Sequence, residues 1–80
     1  MDDPTQHHAQ GAYVAHAHTD IYGPGKVLYV DGDFRRVRFT HFVATIKADD
    51  LRPATPVEEH EMYTWLCRKA ARYGSDWMIP

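Results

Sequence analysis

Between Lys26 and Phe39 the hydrophobic and polar positions change rhythm twice, and each change marks an element. The run "KVLYV", residues 26–30, is almost continuously apolar, as expected of a strand covered on both faces. "DGD", 31–33, interrupts it, and an Asp-Gly step between two β-rich runs predicts a tight hairpin turn. "FRRVRFTHF" then alternates, with Val37 and Phe39 on one face and Arg36 and Arg38 on the other. Upstream, "AYVAHAH" over 12–18 predicts a strand carrying Val14, His16 and His18 on one face and Tyr13 on the other. The "GPG" at 23–25 predicts the turn between these strands, because Pro24 fixes φ and the flanking glycines tolerate positive φ. "VATIKA", 43–48, is a further strand. "DDLRP" reads as a short turn or 3₁₀ element with Leu51 tucked inward and Pro53 ending it.

At residue 55 the period changes from two to 3.6. Thr55 as N-cap, Pro56 at the first helical position and Glu58 three residues after the cap form a capping-box signature. Met62, Trp65, Leu66, Lys69, Ala70 and Tyr73 share one helical face, with Trp65 its largest expected core anchor. His60, Glu61, Thr64, Arg68, Ala71 and Arg72 share the other. Acidic residues begin the helix and basic ones end it, matching the helix dipole, and Gly74 stops it. "SDWMIP" is expected to fold back so that Trp77 and Ile79 cover apolar surface. The predicted class is mainly β: a small Tudor-like or SH3-like barrel of four to five antiparallel strands, followed by one C-terminal α-helix. Residues 1–11 are expected as a disordered tail, 12–54 as the barrel, and 55–80 as the helix and its tail packed on the barrel.

Composition narrows what such a domain does. Eighty residues allow one modest core. A formal charge of −2 and a pI near 6.3 provide no global field toward nucleic acid, so that role needs a local basic face. The one cysteine, Cys67, excludes an internal disulfide and a multi-cysteine zinc site, in keeping with a reducing compartment. No apolar run approaches the ~20 residues of a membrane span, and the start of the chain lacks signal-peptide character. The expectation is a soluble cytoplasmic protein, without cofactor or membrane partner, as a monomer or weak homodimer.

Val14 with His16, the turn Tyr22-Gly23-Pro24-Gly25, Val27 and Val30, Val37-Arg38-Phe39, Ile46 and Leu51-Arg52-Pro53 follow in order along the chain. This pattern, over roughly residues 13–53, resembles the small Tudor-like domain at the C-terminus of UvrD/PcrA-type helicases. More loosely it is similar to the RNA-polymerase-interacting domains of CarD and the transcription-repair coupling factor. The resemblance implies a barrel that docks on RNA polymerase or another nucleic-acid-processing machine. The helix lies outside the matched region.

The candidate partner-binding residues are Tyr22, Arg35, Arg36, Arg38, His41 and Phe42. The arginines give the hairpin a positive strip, with Lys26 and Lys47 on neighbouring strands, whose guanidinium forks suit carboxylates or phosphates. Tyr22 beside its turn and Phe42 in a connecting loop are the expected exposed aromatics. The reading is a non-enzymatic adaptor, regulator or inhibitor that binds protein, with RNA polymerase the first candidate. Direct DNA or RNA binding through the arginine face is the alternative. A methyl-lysine cage drawn from Tyr13, Tyr22, Tyr29, Phe39 and Phe42 is a second alternative. His16 and His18, with His41 or His60, could form a surface zinc site, against the simpler reading of strand histidines that hydrogen-bond across the sheet. No catalytic residue is assigned: Cys67 lacks a helix N-terminus or neighbouring histidine in sequence to activate it.

Overall fold

The computed structural model describes residues 7–78. Tyr13–His16 (β1), Pro24–Asp31 (β2), Phe34–Phe39 (β3), Val43–Lys47 (β4) and Leu51–Pro53 (β5) form one antiparallel sheet in the order β4-β3-β2-β1-β5. The helix Pro56–Tyr73 (α1) follows. This is the expected mainly-β class with a C-terminal helix, although the barrel is not closed: β4 and β5 remain at opposite ends of the sheet. Short 3₁₀ turns at Ala48–Asp50 and Ser75–Met78 complete the chain.

The sheet has two differently used faces. On one, Val14, Val27, Val37, Phe39 and Leu51 form the core, with Ala12, Tyr22, Ala44 and Ile46 packed against it. Gly25 belongs to this face, opposite Phe39. A Cβ placed there would lie 2.7 Å from Val37 Cγ1 and 2.9 Å from Phe39 Cδ1, so a side chain has no room. On the other face α1 packs across β1 and β2 through its buried Met62 and Leu66. Trp65, the expected anchor, is only half-buried and Tyr73 is exposed. The narrow strip of contact accepts one ridge of the helix, and the larger rings lie beside it. Trp77 folds back as expected and meets Trp65 edge-on at 5.7 Å; Ile79 lies outside the described residues.

Several local expectations shift by a residue or two. Pro24 and Gly25 belong to β2, and the preceding turn is closed by Gly23 N–H donating to Asp20 O at 3.2 Å. In the hairpin, Asp31 pairs with Phe34, so the central turn residues are Gly32 and Asp33. Gly32 takes φ 57°, the left-handed conformation a two-residue hairpin demands at that position. A bulge at Leu28 then changes β2: Val27 faces Val37, but Tyr29 faces Arg36 and Val30 faces Arg35. Val27 and Val30 therefore both lie on the core side, while Tyr29 turns outward. This explains how an unbroken apolar run ends in a strand with an exposed face.

Residues 7–11, expected within a tail, are tied to the sheet: Gly11 N–H donates to Val27 O at 2.8 Å and Ala12 N–H to Ala9 O at 2.9 Å. Residues 1–6 lie outside the described part.

The helix begins as predicted. Glu58 N–H donates to Thr55 Oγ1 (3.2 Å), and Glu58 Oε1 accepts from Thr55 N–H (2.9 Å). Arg52 adds a bidentate fork, Nη1 to Oε1 at 2.7 Å and Nη2 to Oε2 at 3.0 Å, that joins β5 to α1. The Arg52 fork, followed by the Thr55 N–H, holds the Glu58 carboxyl at a pKa of about 2. Gly74 N–H closes the other end on Ala70 O.

Two outcomes are expected. Gly25→Ala should lower the stability measured by urea unfolding by about 1–3 kcal/mol, the usual cost of overpacking. Glu58, ionised more readily folded than unfolded, stabilises fully above about pH 4.5, and that contribution fades as pH falls toward 2. Glu58→Gln should therefore be less stable than wild type at pH 6, with the gap closing toward pH 2.

Candidate docking surface

The six residues expected to form one patch fall into three environments. Arg35 is completely buried. It shares the parity of Val37 and Phe39, so its side chain enters the core face, and the strip of arginines is interrupted there. Nη1 donates to Gly32 O at 2.7 Å and Phe34 O at 2.9 Å, while Nε and Nη2 reach His7 O at 3.0 and 2.8 Å. Nε also donates to His8 O at 3.1 Å. Arg35 is thus a structural clamp rather than a contact residue. Burial beside the Arg35 charge lowers the pKa of the His8 imidazole.

Tyr22 and Phe42 gather on the core side of the sheet. Their rings lie 5.1 Å apart and each packs on Phe39, at 5.4 and 5.1 Å. Tyr22 also meets His16 at 5.0 Å. Tyr22 is half-buried, Phe42 remains 39% exposed, and His41 lies exposed beside it. His16 Nδ1 accepts from His18 N–H at 3.1 Å, and His18 Nε2 stands 3.3 Å from Asp50 Oδ1. The first contact is local, whereas the second reaches from the end of β1 to the segment leading into β5, the neighbouring strand. Among the described residues there is no cluster of His, Cys, Asp and Glu fit to hold a metal ion.

Arg36 and Arg38 emerge on the helix side, across the sheet from Tyr22 and Phe42. The Arg38 guanidinium sits over the Trp77 ring at 4.5 Å. Lys26, its neighbour across β2, is buried, donates Nζ–H to Met78 O at 3.2 Å, and has its pKa lowered by desolvation. The C-terminal turn therefore covers half of the basic strip. Arg36 instead donates Nη1–H to Thr45 Oγ1 at 3.0 Å, reaching over β4 toward the end of the sheet.

That end is structurally defined. Phe39 N–H donates to Phe42 O, and Ala48 N–H to Asp33 O, both at 2.8 Å. With the β3–β4 register between them, Val37–Ala44 and Arg35–Ile46 are the hydrogen-bonded pairs. Val43, Thr45 and Lys47 consequently turn their own N–H and C=O groups away from β3, along the outer edge. Their side chains share the helix-side face with Arg36, Tyr29 and Phe34, beyond the reach of α1. Tyr29, read from the sequence only as one of the cage aromatics, is 52% exposed, and Phe34, absent from that set, is 45% exposed. Phe34 could have been found from its parity with Arg36 and Arg38. Tyr29 could not, because the bulge at Leu28 sets its direction.

Comparison with protein families, curated proteins and solved structures finds no match to this chain.

The clamp makes a direct prediction. Arg35→Lys replaces a planar fork by one ammonium that cannot reach carbonyls on both sides of the hairpin. We expect about 2–4 kcal/mol of lost stability in denaturant unfolding, together with faster hydrogen exchange at Gly11 and Ala12.

Proposed function

We propose that this chain is a non-enzymatic docking module that receives an acidic, extended segment of a larger protein along β4. The observation that supports this reading is the outer edge itself. Val43, Thr45 and Lys47 offer outward main-chain groups, and the Arg36 guanidinium is held at Thr45, where a carboxylate on an added strand would stand. Strand addition supplies affinity through main-chain hydrogen bonds, and the flanking side chains supply selectivity. Lys47 extends the preference for acidic residues along the strand. Ala44 and Ile46, half-buried on the core side, favour apolar residues at the alternate positions. An antiparallel partner strand alternating acidic and apolar side chains fits both faces.

The resemblance to helicase and transcription-factor Tudor-like domains makes RNA polymerase the first partner to try, with an adaptor or inhibitor role in the cytoplasm. Arg36 takes over the part first given to the whole arginine strip. Tyr22 lies away from this edge, His41 and Phe42 immediately precede β4, and this mode of docking gives none of the three a role.

Thr45→Pro tests the edge with little disturbance of the fold. The N–H it removes points outward, and proline is tolerated at such edge positions. The immobilised wild-type protein should retain purified RNA polymerase after nuclease treatment, while Thr45→Pro and Arg36→Glu should not. Equal retention by Thr45→Pro would rule out docking through β4.

A further inference from the structure

The same face carries a second arrangement that strand addition leaves unused. Tyr29 and Phe34 sit on adjacent strands, on the helix-side face, one register step apart: Tyr29 opposite Arg36, and Phe34 two residues before Arg36. Such diagonal neighbours lie about 7–8 Å apart. Both rings are about half exposed, and among the described residues neither packs against another ring. Every other exposed tyrosine or phenylalanine either stacks on a neighbour, as Phe42 and Tyr73 do, or lies on α1, as Tyr63 does. Cations border the pair on the β3–β4 side, with Arg36 next to Tyr29 and Lys47 directly opposite Phe34.

From this geometry we infer a stacking platform for short single-stranded nucleic acid, with two bases resting on Tyr29 and Phe34 and adjoining phosphates meeting Arg36 and Lys47. Stacking on aromatic side chains accepts any base, because every base has a π-face, and it acts together with cations that track the backbone. The charge pattern separates single strands from duplex. Duplex binding relies on neutralising many phosphates. Here two cations and one carboxylate, Asp31 opposite Phe34, border the two rings, on a chain of net charge −2. A duplex also hides the base faces that the rings would meet. The site is independent of strand docking in its essential groups, since the rings take no part in the β4 edge and the edge main chain takes no part in stacking. Arg36 and Lys47 stand at the border of both.

Fluorescence anisotropy of labelled dT12 and U12 tests the inference, with a 12-base-pair duplex as control. Both single strands should bind, and the two oligomers separate a DNA from an RNA preference through the 2′-hydroxyl. Tyr29→Ala and Phe34→Ala should each weaken binding about 5- to 100-fold, while circular dichroism stays unchanged because both rings are exposed. The slope of log affinity against log salt should be shallow, near about −1.4 for two phosphate contacts. Thr45→Pro should bind the oligomers as wild type does, so loss of protein docking and loss of nucleic-acid binding read separately. The inference is overturned if neither oligomer binds, if the ring variants bind normally, or if the duplex binds as tightly.

Discussion

Burying the Arg35 guanidinium commits the domain to one arrangement of its hairpin and its N-terminal segment. A charge withdrawn from water needs hydrogen-bond acceptors close by, and here they come from the Gly32–Phe34 turn on one side and from His7 and His8 on the other. The planar fork serves both sides at once. His8 adopts φ 54°, an uncommon conformation for a residue with a side chain, as it brings its carbonyl to the clamp. The segment then continues into the hydrogen bonds that fix Gly11 and Ala12 against β2. A core of small volume thereby gains an ordered rim without additional apolar residues.

The remaining architecture separates a sealed half of the helix-side face from an open half. Met62 and Leu66 seal β1 and β2, and Arg52 with Glu58 fixes where the helix starts. Trp77 extends the seal as far as Arg38. Beyond that line, the end of β2 with β3 and β4 presents Tyr29, Phe34, Arg36 and Lys47 on the open half. The boundary is set by the length of the helix and by the return of the C-terminal turn, so the open surface is a product of packing elsewhere.

Much of this was legible in the sequence where a local rule acts alone. Thr55, Glu58 and Gly74 mark both helix ends because capping uses only neighbours in the chain. The hairpin was evident from Asp31 to Asp33, and the alternation after it fixed the faces of Val37 and Phe39. The same alternation places Arg35 with them, but its charge suggested solvent, and only the carbonyls of His7 and His8, far away in sequence, make burial tolerable. Tyr29 escaped for a related reason: a bulge at Leu28 reverses its direction, and no side chain there announces it. Trp65 was overestimated because size favours burial in general, whereas the helix contacts the sheet along a single ridge. Tyr22 and Phe42 did come together, but on Phe39 rather than beside the arginines.

The sheet order also governs how the chain assembles. β2, β3 and β4 form a meander joined by short turns, so their pairings close small loops at low entropic cost. β1 lies between β2 and β5, and its second pairing joins Val14 to Pro53. That long loop cannot close until nearly two-thirds of the described chain is in place, and non-local closures of this kind are the slow steps in folding. Because α1 packs on β1 as well as β2, the helix gains its full footing only once β1 has been fixed. β1, made before the other four strands, is thus among the last to settle, and the central meander is the scaffold on which the segments before and after it converge.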